Sequence, residues 1–111
     1  MNEISFDDFL KVQIATGTIV EAVLNPKAKK PAYALTIDFG ELGFKTSSAQ
    51  MTENYSPEQL IGKQIIAVMN FPAKRVAGVV SEVLVLAAVS GQKGTVLLQP
   101  QMSVENGVRI F

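Results

Sequence analysis

The residues of this sequence that could do chemistry are cations. Lys27, Lys29 and Lys30 crowd between Pro26 and Pro31, and Lys74 and Arg75 stand side by side after Pro72. Lys45 opens a polar stretch, Lys45-Thr46-Ser47-Ser48. Ammonium and guanidinium groups grouped in this way suit contacts to phosphate oxygens, made by charge and hydrogen bonding together. Nothing beside them suits bond-making. The chain has no His and no Cys, which removes imidazole acid–base chemistry, thiol nucleophiles, disulfides and thiolate metal sites. Asp38 and Glu82 are the acids nearest the cations, and no nucleophile or metal-ligand cluster accompanies them. Glu82 is expected to pair with Arg75 or to accept from backbone amides. The expectation is a binding protein and not an enzyme, with no cofactor and no metal.

Total charge does not advertise a nucleic-acid binder. Ten Lys and Arg balance ten Asp and Glu, so any electrostatic attraction must be local. At 111 residues the chain is expected to form one domain, 1–111, with enough buried surface for a real core. The N-terminal Met1–Leu10 mixes apolar residues with acids, unlike a signal peptide. No apolar run approaches the ~20 residues that cross a bilayer. A soluble, cytoplasmic protein without membrane insertion is expected.

The elements that must position the cations are mostly strands. Ser5 can cap a short helix ending near Leu10, with Phe6 and Phe9 on one face. Those rings either pack on the domain's own core or meet a partner. Lys11 to Leu24 reads as a long strand, bent or bulged near Gly17 and Ile19-Val20. The Lys27–Lys30 loop follows. Tyr33 to Phe39 alternates cleanly and Phe44 to Gln50 returns after a glycine-bounded connection. Ser56-Pro57-Glu58-Gln59 is a capping box that starts a second short helix, closed at Gly62. Ile65–Met69 and Val83–Ala88 are two further apolar, β-branched strands. The polar insert between them, Asn70 to Glu82, reads as a loop, since Pro72 and Gly78 oppose a continuous strand or helix. Thr95 to Gln99 and the tail Val108–Phe111, which follows an Asn106-Gly107 turn, supply a C-terminal β extension.

Five strands with a helix between the third and fourth is the layout of the OB-fold, a partly open five-stranded barrel. That fold binds ligands on strands two and three and on the loops joining strands one to two and four to five. Lys27, Lys29 and Lys30 fall in the first loop, and Lys74 and Arg75 in the second. Half of the ten cations therefore flank the ligand face. The alternative is that these are merely solvated loops. The candidate ligand-binding residues, for RNA or peptide, are Lys29, Lys30, Tyr33, Lys45, Ser47, Ser48, Asn70, Phe71, Lys74, Arg75 and Ser81.

Several stretches resemble the EMAP II-like tRNA-binding domain family. They are Gly17–Ala22, Asp38-Phe39-Gly40, Ser56–Lys63, and Asn70-Phe71-Pro72 with Arg75, Gly78 and Ser81-Glu82. The family includes appendices of some methionyl-tRNA synthetases and small free-standing proteins. The resemblance extends from Phe6 to Phe111. It implies an OB-fold, a homodimer built with the termini, and tRNA binding by shape. For the free-standing secretion-chaperone members it also implies binding of unfolded export precursors. Ala15 departs from the pattern, standing where many relatives carry an arginine.

Two ligand classes stay open. An unfolded-polypeptide chaperone needs exposed apolar surface, which Tyr33, Phe71, Val76 and Val79 could supply. An RNA binder would use Lys29, Lys30, Lys45, Lys74 and Arg75 on phosphates, with only Tyr33 and Phe71 placed to stack on bases. Phe6, Phe9, Ile110 and Phe111 are the expected dimer interface, because apolar residues at chain ends suit a twofold contact.

Overall fold

The computed structural model describes residues 1–111. The polypeptide forms helix α1 (Phe6–Leu10), strands β1 (Ile14–Leu24), β2 (Tyr33–Asp38) and β3 (Phe44–Ala49), helix α2 (Pro57–Leu60), and strands β4 (Gln64–Val68), β5 (Lys74–Val76), β6 (Val79–Ser81), β7 (Leu84–Val85), β8 (Ala87–Ser90) and β9 (Gly94–Leu97). One five-stranded antiparallel sheet, ordered β3-β2-β1-β4-β7, curls into a nearly closed barrel. Two hairpins, β5–β6 and β8–β9, stand on it. The protein is thus nearly all-β, an OB-like barrel with two short helices, as the sequence pattern implies. No helix is long and apolar enough to cross a membrane.

Barrel closure starts in β1. Residues 14–18 pair with β4, and residues 18–24 pair with β2. The register slips between Ile19 and Glu21, so Val20 is the extra residue of a bulge that turns the strand from one neighbour to the other. Gly17 serves packing more than bending. A Cβ there would lie 2.6 Å from the Phe39 ring and 2.7 Å from Ile37. The core is built from the alternating inward residues Leu35, Ile37 and Phe39, joined by Ile19, Ile65 and Leu60. Helix α2 plugs one end with Leu60. Its capping box is complete: Ser56 Oγ accepts from the Gln59 amide at 3.3 Å, and Gln59 Oε1 accepts from the Ser56 amide at 2.9 Å.

Two expected elements differ. The insert after β4 is not an open loop. It folds as the β5–β6 hairpin, turning at Ala77 and Gly78, whose φ angles of 48° and 87° give the mirror-image turn that matches strand twist. The apolar run Val83–Ala88 is not one strand. It pairs with β4 at Leu84–Val85, then changes partner at Leu86 and pairs with β9 from Ala87. The C-terminal extension runs beside β1. Ala15 bridges Arg109, Thr16 N–H donates to the Val108 carbonyl at 3.0 Å, and Ile110 N–H donates to the Ile14 carbonyl at 2.9 Å.

Candidate ligand-binding groove

The outer edge of β3 is where the site is built. Its inner edge pairs with β2. Its outer edge is held by the segment entering β7. Glu82 N–H donates to the Thr46 carbonyl at 2.8 Å, and the Glu82 carboxylate accepts from both the Thr46 amide and its hydroxyl at 3.1 Å. Ser81 Oγ accepts from the Ser48 amide at 3.1 Å. Glu82 therefore accepts from a backbone amide, and it forms no ion pair with Arg75, since Lys11–Asp8 at 3.3 Å is the one salt bridge in the chain. Side chains do here what a neighbouring strand does elsewhere, and they fix the β5–β6 hairpin against β3.

That hairpin divides a groove into two adjacent hollows. The first, of about 330 Å³, is lined by Phe71, Pro72, Val76 and Leu84, with Lys74 and Glu82. The second, of about 350 Å³, is lined by Lys29, Lys30, Gln50, Val76 and Ala77. Ser48 and Val76 border both. Alternation along β5 separates the adjacent cations. Lys74 shares the groove side with Val76, whereas Arg75 points the other way and reaches the Gly78 carbonyl at 3.5 Å. Lys27 also lies at the hairpin tip, its Nζ 3.8 Å from where a Gly78 Cβ would stand. None of Lys27, Lys29, Lys30, Lys74 and Arg75 has an acidic partner. The local field of the groove is therefore positive, although the chain as a whole is neutral.

The two cationic segments are tied together by Asn25. Its Oδ1 accepts from the Lys27 amide at 3.1 Å, and its Nδ2 donates to the Ala77 carbonyl at 3.2 Å. The residue is 8% exposed. Sequence reasoning missed this role, although Asn before Pro at a loop entrance is a turn signal in its own right.

The structure places the expected residues unequally. Lys29, Lys30, Ser48, Phe71, Lys74 and Ser81 line the groove. Tyr33 does not reach a ligand face: it is 6% exposed and its hydroxyl donates to the Tyr55 carbonyl at 2.7 Å. Its place in the alternating core side of β2 settles that, so it can offer no stacking surface. Ser47 is likewise buried, its hydroxyl donating to the Val83 carbonyl at 3.0 Å. Asn70 spends its amide on the chain, accepting from the Gln13 N–H at 2.9 Å and donating to the Lys11 carbonyl at 2.7 Å. Lys45 lines neither hollow. Phe71 remains exposed as the one aromatic ring at the groove. No three His, Cys, Asp or Glu side chains gather as a metal-ligand set.

A family profile described as a putative tRNA binding domain matches residues 14–109, nearly the whole barrel and its extension. The chain belongs to that family of tRNA-binding domains. Within it, the chain is similar from end to end to solved chaperones. It is 53% identical to the chaperone CsaA of Bacillus anthracis, over 99% of this chain and 100% of that one, with a TM-score of 0.93. It is 48% identical to the CsaA chaperone protein of Picrophilus torridus, over 98% and 100%, with a TM-score of 0.92. A methionine–tRNA ligase of Methanococcoides burtonii is 40% identical over 107 residues, which are 96% of this chain but 16% of the ligase. The chain thus spans about a sixth of the curated ligases it matches.

Proposed function

We propose that this protein is a CsaA-like, non-catalytic molecular chaperone that binds unfolded export precursors as a cytoplasmic homodimer, with a capacity to bind tRNA. The observation that carries this reading is the end-to-end likeness to two CsaA chaperones, set against ligases of which the chain matches a small part. The groove supports it. Phe71, Pro72, Val76 and Leu84 offer an apolar wall, and Lys29, Lys30 and Lys74 offer charge around it. An unfolded polypeptide needs both, since its apolar side chains and its polar backbone are exposed together.

The second reading, a tRNA-binding protein acting in translation, is favoured by the family match and by the unpaired cations. At the groove only Phe71 is available for stacking, so RNA recognition there would rest on phosphates and on the shape of a folded molecule. Titrating the protein with an unfolded preprotein and with bulk tRNA across a salt series separates the two. Chaperone binding should fall little with added salt, while tRNA binding should fall steeply. A preprotein that does not bind at any salt concentration, beside tRNA that does, would reverse the order of the readings.

A further inference from the structure

The outer edge of β3 does not end where its side-chain clasps end. Thr46 and Ser48 direct backbone groups outward, where Glu82 and Ser81 meet the Thr46 N–H, the Thr46 carbonyl and the Ser48 N–H. Gln50 follows directly on the end of β3, where continued alternation would give it the same outward direction. Neither the Gln50 N–H nor its carbonyl has a partner in the chain, and the Ser48 carbonyl meets only the neighbouring Ser47 hydroxyl, at 3.5 Å. Ser48 and Gln50 both line the hollow of about 350 Å³ that also holds Lys29 and Lys30, neither of which has a salt-bridge partner.

We infer that an extended, acidic polypeptide segment docks here by adding a short strand to β3 at Ser48–Gln50. Its backbone would accept from the Gln50 N–H and donate to the Ser48 and Gln50 carbonyls. A carboxylate on the segment would meet Lys29 and Lys30. Main-chain pairing supplies affinity without a sequence requirement, and the lysines bias the choice toward acidic stretches. The clasps at Thr46 and Ser48 interrupt the edge, which keeps it from pairing with a second copy along its whole length. An RNA would satisfy the lysines but would leave a donor and two carbonyls in strand register without use, so polypeptide is the occupant the edge favours. The inference rests on the proposed binding of unfolded polypeptide.

The test is amide hydrogen exchange at Gln50, read by NMR on the full chain. The probe is a short proline-free peptide alternating Val and Thr around a central Glu. Saturating peptide should slow exchange at Gln50 by about tenfold or more, as a newly made backbone hydrogen bond does. Replacing Lys29→Glu together with Lys30→Glu should weaken the peptide about tenfold or more and leave the Thr46 amide as protected as before. Peptide that binds while Gln50 exchanges at its free rate overturns strand addition and leaves the chaperone reading standing. Absence of peptide binding beside an unfolded preprotein that binds overturns the inference alone, and absence of both overturns the chaperone reading with it. Protection of Gln50 by tRNA and not by peptide assigns the edge to RNA and overturns the inference.

Discussion

The groove and the terminal surface of this molecule are built on opposite principles. Around the groove, five cations stand without salt-bridge partners; of the acids near them, Glu82 accepts from Thr46, and Glu53 lines a hollow with Lys30 without pairing to it. At the terminal surface lies the one ion pair, Lys11–Asp8, beside exposed rings. Phe6 is 66% exposed and Phe111 is 75% exposed. The Phe6 ring meets the Phe9 ring, with centroids 6.2 Å apart. Arg109 holds the two ends together, its guanidinium 5.0 Å from the centre of the Phe111 ring and donating to the Leu10 carbonyl at 2.9 Å. A neutral total charge therefore hides a division of labour. One surface is suited to ligands that exchange, and the other to a lasting apolar contact such as the proposed second copy would make.

The largest effect should come from charging the apolar side. Replacing Phe6→Asp with Phe111→Asp removes two rings from the proposed dimer contact, worth about 3–6 kcal/mol together. The dimer dissociation constant should rise about a hundredfold or more. Sedimentation at micromolar concentration reads this, and an unchanged dimer mass would break the comparison. Neutralising the groove should change binding instead of assembly. Lys29→Ala, Lys30→Ala and Lys74→Ala together should shallow the slope of log tRNA affinity against log salt by up to about three, at up to one per lost phosphate contact. Stability should move by about half a kcal/mol or less, as is usual for surface changes. Arg75→Ala, which faces away from the hollows, should flatten the RNA slope by about one and leave peptide affinity unchanged. Equal losses of peptide affinity for Lys74→Ala and Arg75→Ala would show that strand alternation does not sort the pair.

The smallest effect concerns the hairpin that bears these cations. Ala77 holds φ at 48°, a conformation that costs a side chain about 1–2 kcal/mol. Glycine removes that cost but loses about 0.4–1 kcal/mol through the freer unfolded chain. Ala77→Gly should therefore raise stability by about half a kcal/mol, a rise in Tm of a few degrees. A fall in Tm would mean that the Ala77 methyl contributes more to packing at the tip than its backbone angle costs.

Much of the barrel was legible because local signals agreed with one another. The capping box at Ser56, the alternation of Tyr33 to Phe39, and the bulge after Gly17 each follow from residue types at fixed spacing. The hairpin at Lys74–Ser81 was less legible, because its strands are three residues each and its turn places Ala, and not Asn or Gly, first in the left-handed region. The break at Leu86 is invisible in sequence, since an apolar run reads alike whether its strand keeps one partner or changes it. The site was legible at the level of loops and not of side chains. Lys29, Lys30 and Lys74 follow from topology, whereas the inward turn of Tyr33 and Ser47 follows from which face of the β2–β3 pair meets the core. That choice is made by Leu35, Ile37 and Phe39 together. Glu82 as a clasp on Thr46, and Asn25 as a tie, depend on contacts 36 and 52 residues apart in the chain.

The Asn25 tie has a mechanical outcome. Because one buried amide grips both the Lys27 backbone and the Ala77 carbonyl, the lysine loop and the hairpin tip cannot wander independently. Two charged arms that would each have to be stilled on meeting a ligand are stilled once, when the chain folds. The ordering entropy is thus settled before any ligand arrives, and a ligand that engages either arm finds the other already in place.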